Sequence, residues 1–165
     1  MVDVKNVRDF LAGSPFFSDM EEAYFDLLAG CGTLAHIPAG DFLLREGEAA
    51  DSFFLIRSGD VAIESHAPGN GALTVSKVGA EGVAGFSWLF PPYRNAFDAR
   101  AVTEVAVVRL DGKCLRGKVE QDHELGYQFM SRFAQIILQR MQATRRQMLD
   151  VYGTGPDTGG TGTAA

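Results

Sequence analysis

Cysteine is scarce in this chain: two among 165 residues, Cys31 and Cys114, far apart in the sequence. Neither belongs to a C-x-x-C pair or to a metal-ligand spacing, so both read as reduced structural thiols. Long apolar runs are missing too. None approaches the ~20 residues that cross a bilayer, and no Lys/Arg-led apolar leader opens the chain. The expected address is therefore the cytoplasm, with no membrane partner. Basic charge is in deficit: 15 Lys and Arg against 21 Asp and Glu give a net charge of −6. That is the wrong sign for a chain that binds nucleic acid over its whole surface. His36, His66 and His123 are scattered, with no Cys, His or carboxylate at ligand spacing, so no metal is expected. G-x-S-x-G, P-loop and H-E-x-x-H motifs are absent. Asp98 and Glu81 pair with no visible base, so no catalytic residue is assigned and no enzyme is expected.

What is present is ordinary for a globular domain: 46% apolar and 22% charged residues. The length suits one domain with a proper core, taken as residues 1–152. "VKNVRDFLAG" reads as a short helix and "SPFF" as a link. In "SDMEEAYFDLLAG", Ser18 and Glu21 form a capping-box pattern. Met20, Ala23, Tyr24, Leu27 and Leu28 fall on one apolar stripe, and Gly30 suits the C-terminal cap. From Thr33 to Leu110 the pattern changes to short runs bounded by Gly, Pro, Asn and Asp. "TLAHIPAG", "DFLLREG", "SFFLIRSGDVAIES", "ALTVSKVG", "FDARAV" and "EVAVVRL" read as strands. "RSGD" predicts a tight hairpin with Gly59 at positive φ, and "HAPGNGA" a second turn. Together these predict a mainly-β α+β fold, a sandwich or jelly-roll barrel (double-stranded β-helix).

The C-terminal part is helical again. Asp111 can cap "DGKCLRGKVEQ", and Asp122 can cap a long helix, about 122–152. Met130, Ala134, Ile137, Met141, Thr144, Met148 and Val151 alternate in steps of four and three, a heptad seam. A second row, Phe129, Phe133, Ile136 and Leu149, can face the barrel. A helix of ~30 residues is about 45 Å long, more than its own barrel needs, so a homodimer along the seam is expected. Arg132, Arg140, Arg145 and Arg146 make the helix locally basic. The Gly/Thr-rich tail 153–165 should be disordered.

The oddest stretch is "GFSWLFPPYRNAFDARA", residues 85–101, with the single Trp, paired prolines and an Arg among apolar residues. Upstream, "FF" followed by Ser, and then "IPAGDFLLREGEAADSFFLIRSGDVAI", set Pro38, Gly40, Glu46, Gly47, Gly59 and Val61 in a recognisable frame. With the long seam-forming helix, residues 10–152 resemble the cyclic-nucleotide-binding sensor domain of Crp/Fnr-type bacterial regulators, in a stand-alone form without the helix-turn-helix domain. The resemblance implies a jelly-roll barrel with a C-terminal dimer helix. It implies cyclic AMP or cyclic GMP as ligand, and places 85–101 on the family's phosphate-binding cassette. There, helix N-terminal amides and one Arg hold the cyclic phosphate, and a Glu takes the ribose hydroxyl.

Carried over position by position, the cassette is Gly85, Phe86, Ser87, Trp88, Arg94, Asn95 and Ala96. Thr144, in "MQAT", matches the Thr of an L-Q-x-T that touches adenine at the dimer seam. The chain departs from the family in ways that matter chemically. Phe86 replaces the Glu, Asn95 falls on the Arg position with Arg94 one residue before it, and Asp98 or Ala99 replaces the hydroxyl residue. A hydrogen bond to a charged group is worth about 1.5–3 kcal/mol, so the missing Glu alone weakens binding roughly 10- to 150-fold. Phe86 and Trp88 would also crowd the ribose. The implied function is a non-enzymatic sensor or regulatory module that binds a small anionic ligand. It would signal through its C-terminal helix to a separate, unidentified protein partner. Two alternatives stand beside it: a degenerate cassette in an assembly scaffold that binds no nucleotide, and a DNA-associated regulator acting through the basic helix. Without a recognition helix, sequence-specific DNA binding is not expected.

Overall fold

The computed structural model describes residues 4–153; the expected tail, from 154 onward, lies outside them. Helix α1 spans Val4–Ala12 and α2 spans Glu22–Ala29. Eight strands follow among the described residues: β1 Gly32–Ile37, β2 Phe42–Leu44, β3 Ser52–Ser58, β4 Val61–Ala67, β5 Gly71–Val78, β6 Val83–Ala84, β7 Asp98–Ala101 and β8 Val105–Asp111. Helices α3 Gly112–Gln121 and α4 His123–Gly153 close the chain. The strands form two four-stranded antiparallel sheets, β1-β8-β3-β6 and β2-β7-β4-β5. This is the expected jelly roll with flanking helices. No helix among the described residues is long and apolar enough to cross a membrane.

Strand periodicity explains how the two layers share β3 and β8. Successive side chains point to opposite faces. Phe53 and Leu55 face the core beneath the helices, while Phe54 and Ile56 face the interior between the sheets. In β8, Val108 and Leu110 join the first core, and Val105 and Val107 the second. These strands are therefore apolar on both sides, which is why their sequences read as unbroken runs rather than alternation.

Four expectations are corrected. The "RSGD" segment is a tight turn but not a hairpin: β3 pairs with β8 and β6, β4 with β5 and β7. The turn is a corner that carries the chain from one sheet to the other. Gly59 does take φ +92°, and a Cβ there would run into the carbonyl of Glu104. The true hairpin is the second turn cluster, where Ala67 pairs with Gly71.

The capping box does not form. Ser18 ends a 3₁₀ turn, Pro15–Phe17, and Asp19 sits at φ +65°, so α2 starts only at Glu22, with no side-chain cap. Ser14 caps the 3₁₀ turn instead, its Oγ accepting from the Phe16 amide at 3.2 Å. The reversal at 18–19 lets Phe17 and Met20 both enter the core, and α2 turns Phe25, Leu28 and Ala29 inward while Ala23 and Leu27 stay exposed.

The two cysteines are not free: Cys31 and Cys114 form a disulfide across 83 residues. The antiparallel register of β1 on β8, Gly32 opposite Leu110, brings them together, and the Asp111 amide donates to the Cys31 carbonyl at 2.9 Å. Sequence spacing could not show a pairing set by strand register.

The helix caps at Asp111 and Asp122 form as expected. Asp111 Oδ1 accepts from the Cys114 amide at 2.9 Å, and Asp122 Oδ1 accepts from the Glu124 and Leu125 amides at 3.1 and 3.2 Å. The first turns of α4 bury Leu125, Phe129 and Phe133 completely, with Ile136 partly covered. Beyond them the helix is exposed, and Leu149 does not pack on the barrel but is 58% exposed. Six of the seven seam residues, from Met130 to Val151, are exposed; Thr144 is half-buried and donates to the Arg140 carbonyl at 3.0 Å.

The Phe129 ring lies 5.2 Å from Trp88, 6.3 Å from Phe53 and 6.0 Å from Phe17. Phe129→Ala should therefore cost about 3–5 kcal/mol, measured by urea unfolding followed through the single tryptophan. A loss below about 1 kcal/mol would show that this ring does not hold α4 to the barrel.

Candidate functional site

The candidate site is built on the 85–101 segment. Strand β6 delivers Gly85 at φ +93°, where a Cβ would lie 2.6 Å from the Ser52 carbonyl oxygen and 3.2 Å from Leu44 Cδ1. Only glycine lets the segment leave β3 this closely. A 3₁₀ turn, Ser87–Leu89, follows, and Pro91–Pro92 is a cis peptide. From α3, the Arg116 guanidinium donates to the carbonyls of Ala50 and Trp88 at 3.1 and 2.9 Å, tying the turn to the strand-leading loop.

The segment then runs antiparallel to residues 45–50. The Asn95 amide donates to the Glu48 carbonyl, and the Gly47 amide to the Asn95 carbonyl, both at 2.9 Å. The Asn95 side chain is buried and donates to the Arg45 carbonyl at 3.0 Å. Asp98 is 2% exposed; its Oδ1 accepts from the Glu46 amide at 2.7 Å. Arg45 Nε lies 3.7 Å from Oδ1, and His66 Nδ1 3.3 Å from Oδ2. Arg45 is thus a neighbour of opposite sign, while Oδ2 is buried without a hydrogen bond.

Between this segment, the second sheet and α4 lies a cavity of about 750 Å³. Of the sequence-assigned residues, Gly85, Phe86, Ser87, Asn95, Ala96 and Thr144 line it. Two do not. Trp88 is fully buried in the helix-side core, packed on Phe129, and cannot crowd a ligand. Arg94 points outward and donates to the Gly47 carbonyl at 2.9 Å. Its one-residue offset in a locally extended segment turns it away from the cavity. Phe86 does enter the site, with its ring 4.7 Å from Phe133 of α4.

The cation that does line the cavity is Arg140, joined by Arg145. Arg140 donates to the Val83 carbonyl at 2.8 Å and stands 4.9 Å over the Phe86 ring. Burial pushes its guanidinium below the ordinary arginine value. Sequence reasoning placed Arg140 only in a basic surface. The signal was helical spacing: Phe133, Ile137, Arg140 and Thr144 follow at steps of four, three and four, one face. Arg132, counted in the same basic set, donates to the carbonyls of Phe16 and Ser18 at 2.8 and 2.7 Å. Two of the four arginines are therefore tied to backbone carbonyls, and the basic face is smaller than the sequence suggests.

A family model for the "cyclic nucleotide-binding domain" matches residues 34–122, more than half of the chain.

The chain belongs to the cyclic nucleotide-binding domain family.

Among curated proteins, it is 25% identical over 146 residues to the CRP-like cAMP-activated global transcriptional regulator of Mycobacterium tuberculosis, covering 88% of this chain and 63% of that protein. The chain therefore spans less than two thirds of that relative. Among solved structures, it is similar to a putative cyclic nucleotide-binding protein from Geobacter metallireducens, with 26% identity and TM-score 0.73 over 86% of this chain and 99% of that one. The regulatory domain of Toxoplasma gondii protein kinase A, crystallised with cAMP, gives TM-score 0.69 at 18% identity, over 82% and 50% of the two chains. At that identity the likeness shows the fold alone. The Mycobacterium and Toxoplasma proteins are regulatory by name.

Asp98→Ala leaves the Glu46 amide without its buried acceptor and should destabilise the domain by about 1–3 kcal/mol in chemical denaturation.

Proposed function

We propose that this protein is a non-enzymatic regulatory module in which occupancy of the cavity is read out through α4. What supports the reading is one linkage: the cassette ring Phe86 lies between Phe133 and Arg140 of the same helix that roofs the cavity. A ligand that displaces Phe86 cannot do so without disturbing α4. The seam of α4, exposed at six of its seven positions, supports a homodimer, through which such a movement passes to a protein partner; four seam residues, Ile137, Met141, Thr144 and Met148, also line the cavity. Apolar residues exposed at heptad spacing are stabilised by pairing with a twin.

On this reading cyclic AMP and cyclic GMP are poor ligands. Phe86 offers the ribose no acceptor, and the Asn95 amide is already engaged by the Arg45 carbonyl. A ligand at 100 times its dissociation constant adds about 2.7 kcal/mol of stability, a melting shift of several degrees for a domain of this size. Either cyclic nucleotide at about 1 mM should leave the melting temperature unchanged, and Phe86→Glu should make a shift appear. A wild-type shift of several degrees would show that the cassette still serves its relatives' ligand. Light scattering should report a dimer, and Ile137→Glu, which sets charge on the seam, should yield monomers. A monomeric wild type would remove the seam argument.

A further inference from the structure

Resting on the reading that this cavity is the ligand site, we propose that it takes an apolar monocarboxylate. The carboxylate would pair with Arg140, and the apolar body would lie between the second sheet and α4. Volume comes first: about 750 Å³ falls within the range of small-molecule sites. The lining follows. Leu44, Ile63, Phe86, Phe90, Ile137 and Met141 present carbon to the space. An alkyl chain or a ring suits that mostly carbon surface; Ser76 Oγ and Asp98 Oδ2, both buried without a hydrogen bond, are polar exceptions in the lining.

The sign of the ligand's charge follows from which charged group lacks compensation. Asp98 also lines the cavity: its Oδ1 accepts from the Glu46 amide and lies 3.7 Å from Arg45 Nε, so part of its charge is met within the cassette, while Oδ2 is buried without a hydrogen bond. Arg140 is different: among the described residues no carboxylate pairs with it. Its Nη2 donates to the Val83 carbonyl, and its Cζ stands 4.9 Å over the Phe86 ring. Partly buried charges are normally paired, and a guanidinium fork receives a carboxylate through two parallel hydrogen bonds.

Decanoate, decanol and decylamine are the probes, titrated calorimetrically into the full chain below their aggregation limits. Decanoate should bind saturably, one per protomer, and at least about tenfold more tightly than either the alcohol or the amine. Arg140→Gln should remove that preference. Arg140→Lys should restore part of it, and Arg146→Gln, outside the cavity lining, should keep it. Equal binding of the three probes, no saturable decanoate binding, or a preference indifferent to Arg140→Gln would each overturn the proposal. The regulatory reading is separated by a spin-label distance between α4 and β5. Saturable decanoate binding with that distance unchanged upholds the ligand class and removes the read-out through α4. A nucleotide that moves α4 while decanoate does not bind does the reverse.

Discussion

The contact between Phe133 and Phe86 is the constraint on which the rest of the site depends. The Phe133 ring also meets Phe16 and Phe53, each at 5.5 Å, and Trp88 at 5.9 Å. One side chain of α4 therefore touches the N-terminal turn, the first sheet and the cassette at once. Aromatic pairs contribute about 0.5–1.5 kcal/mol each beyond the area they bury. The cluster fixes where α4 leaves the barrel, and so where the helix crosses the cavity. It also explains why α4 is buried in its first turns and open afterwards: the rings end at Phe133, and nothing comparable follows them.

The residues of the 85–101 segment share a structural role in this light. Phe86 adds to the aromatic cluster where an acidic side chain would oppose it. Asn95 and Asp98 tie the segment to Arg45 and Glu46 through their own side chains. Arg116 binds the opposite end of the segment to α3 through the carbonyls of Ala50 and Trp88. The arginine facing the cavity comes from the helix rather than from the cassette, and its neighbours are mostly carbon.

Local chemistry was legible in the sequence; contacts between distant segments were not. Asp111 and Asp122 announced two helix starts because a cap depends on residues a few places away. Gly59 announced its turn for the same reason, but not that the flanking strands part into different sheets, which the pairing of β3 with β8 decides. The Cys31–Cys114 bond followed from the β1–β8 register and left no trace in spacing. At the site, the irregularity of 85–101 marked the segment, and the family resemblance assigned it as the cassette; six of the residues so assigned line the cavity. Trp88 and Arg94 were misplaced because direction in a short irregular loop is set by packing, not by residue type. Arg140 was hidden among other arginines, although its spacing from Phe133 already placed it on the inward face.

A double-mutant cycle on Phe86 and Phe133, using Phe86→Ala and Phe133→Leu with stabilities from urea unfolding, tests most directly whether cassette and helix depend on each other. Their rings are 4.7 Å apart, and a coupling of about 0.5–1.5 kcal/mol is expected. Two losses that simply add, to within about 0.3 kcal/mol, would contradict the link between the cavity and α4.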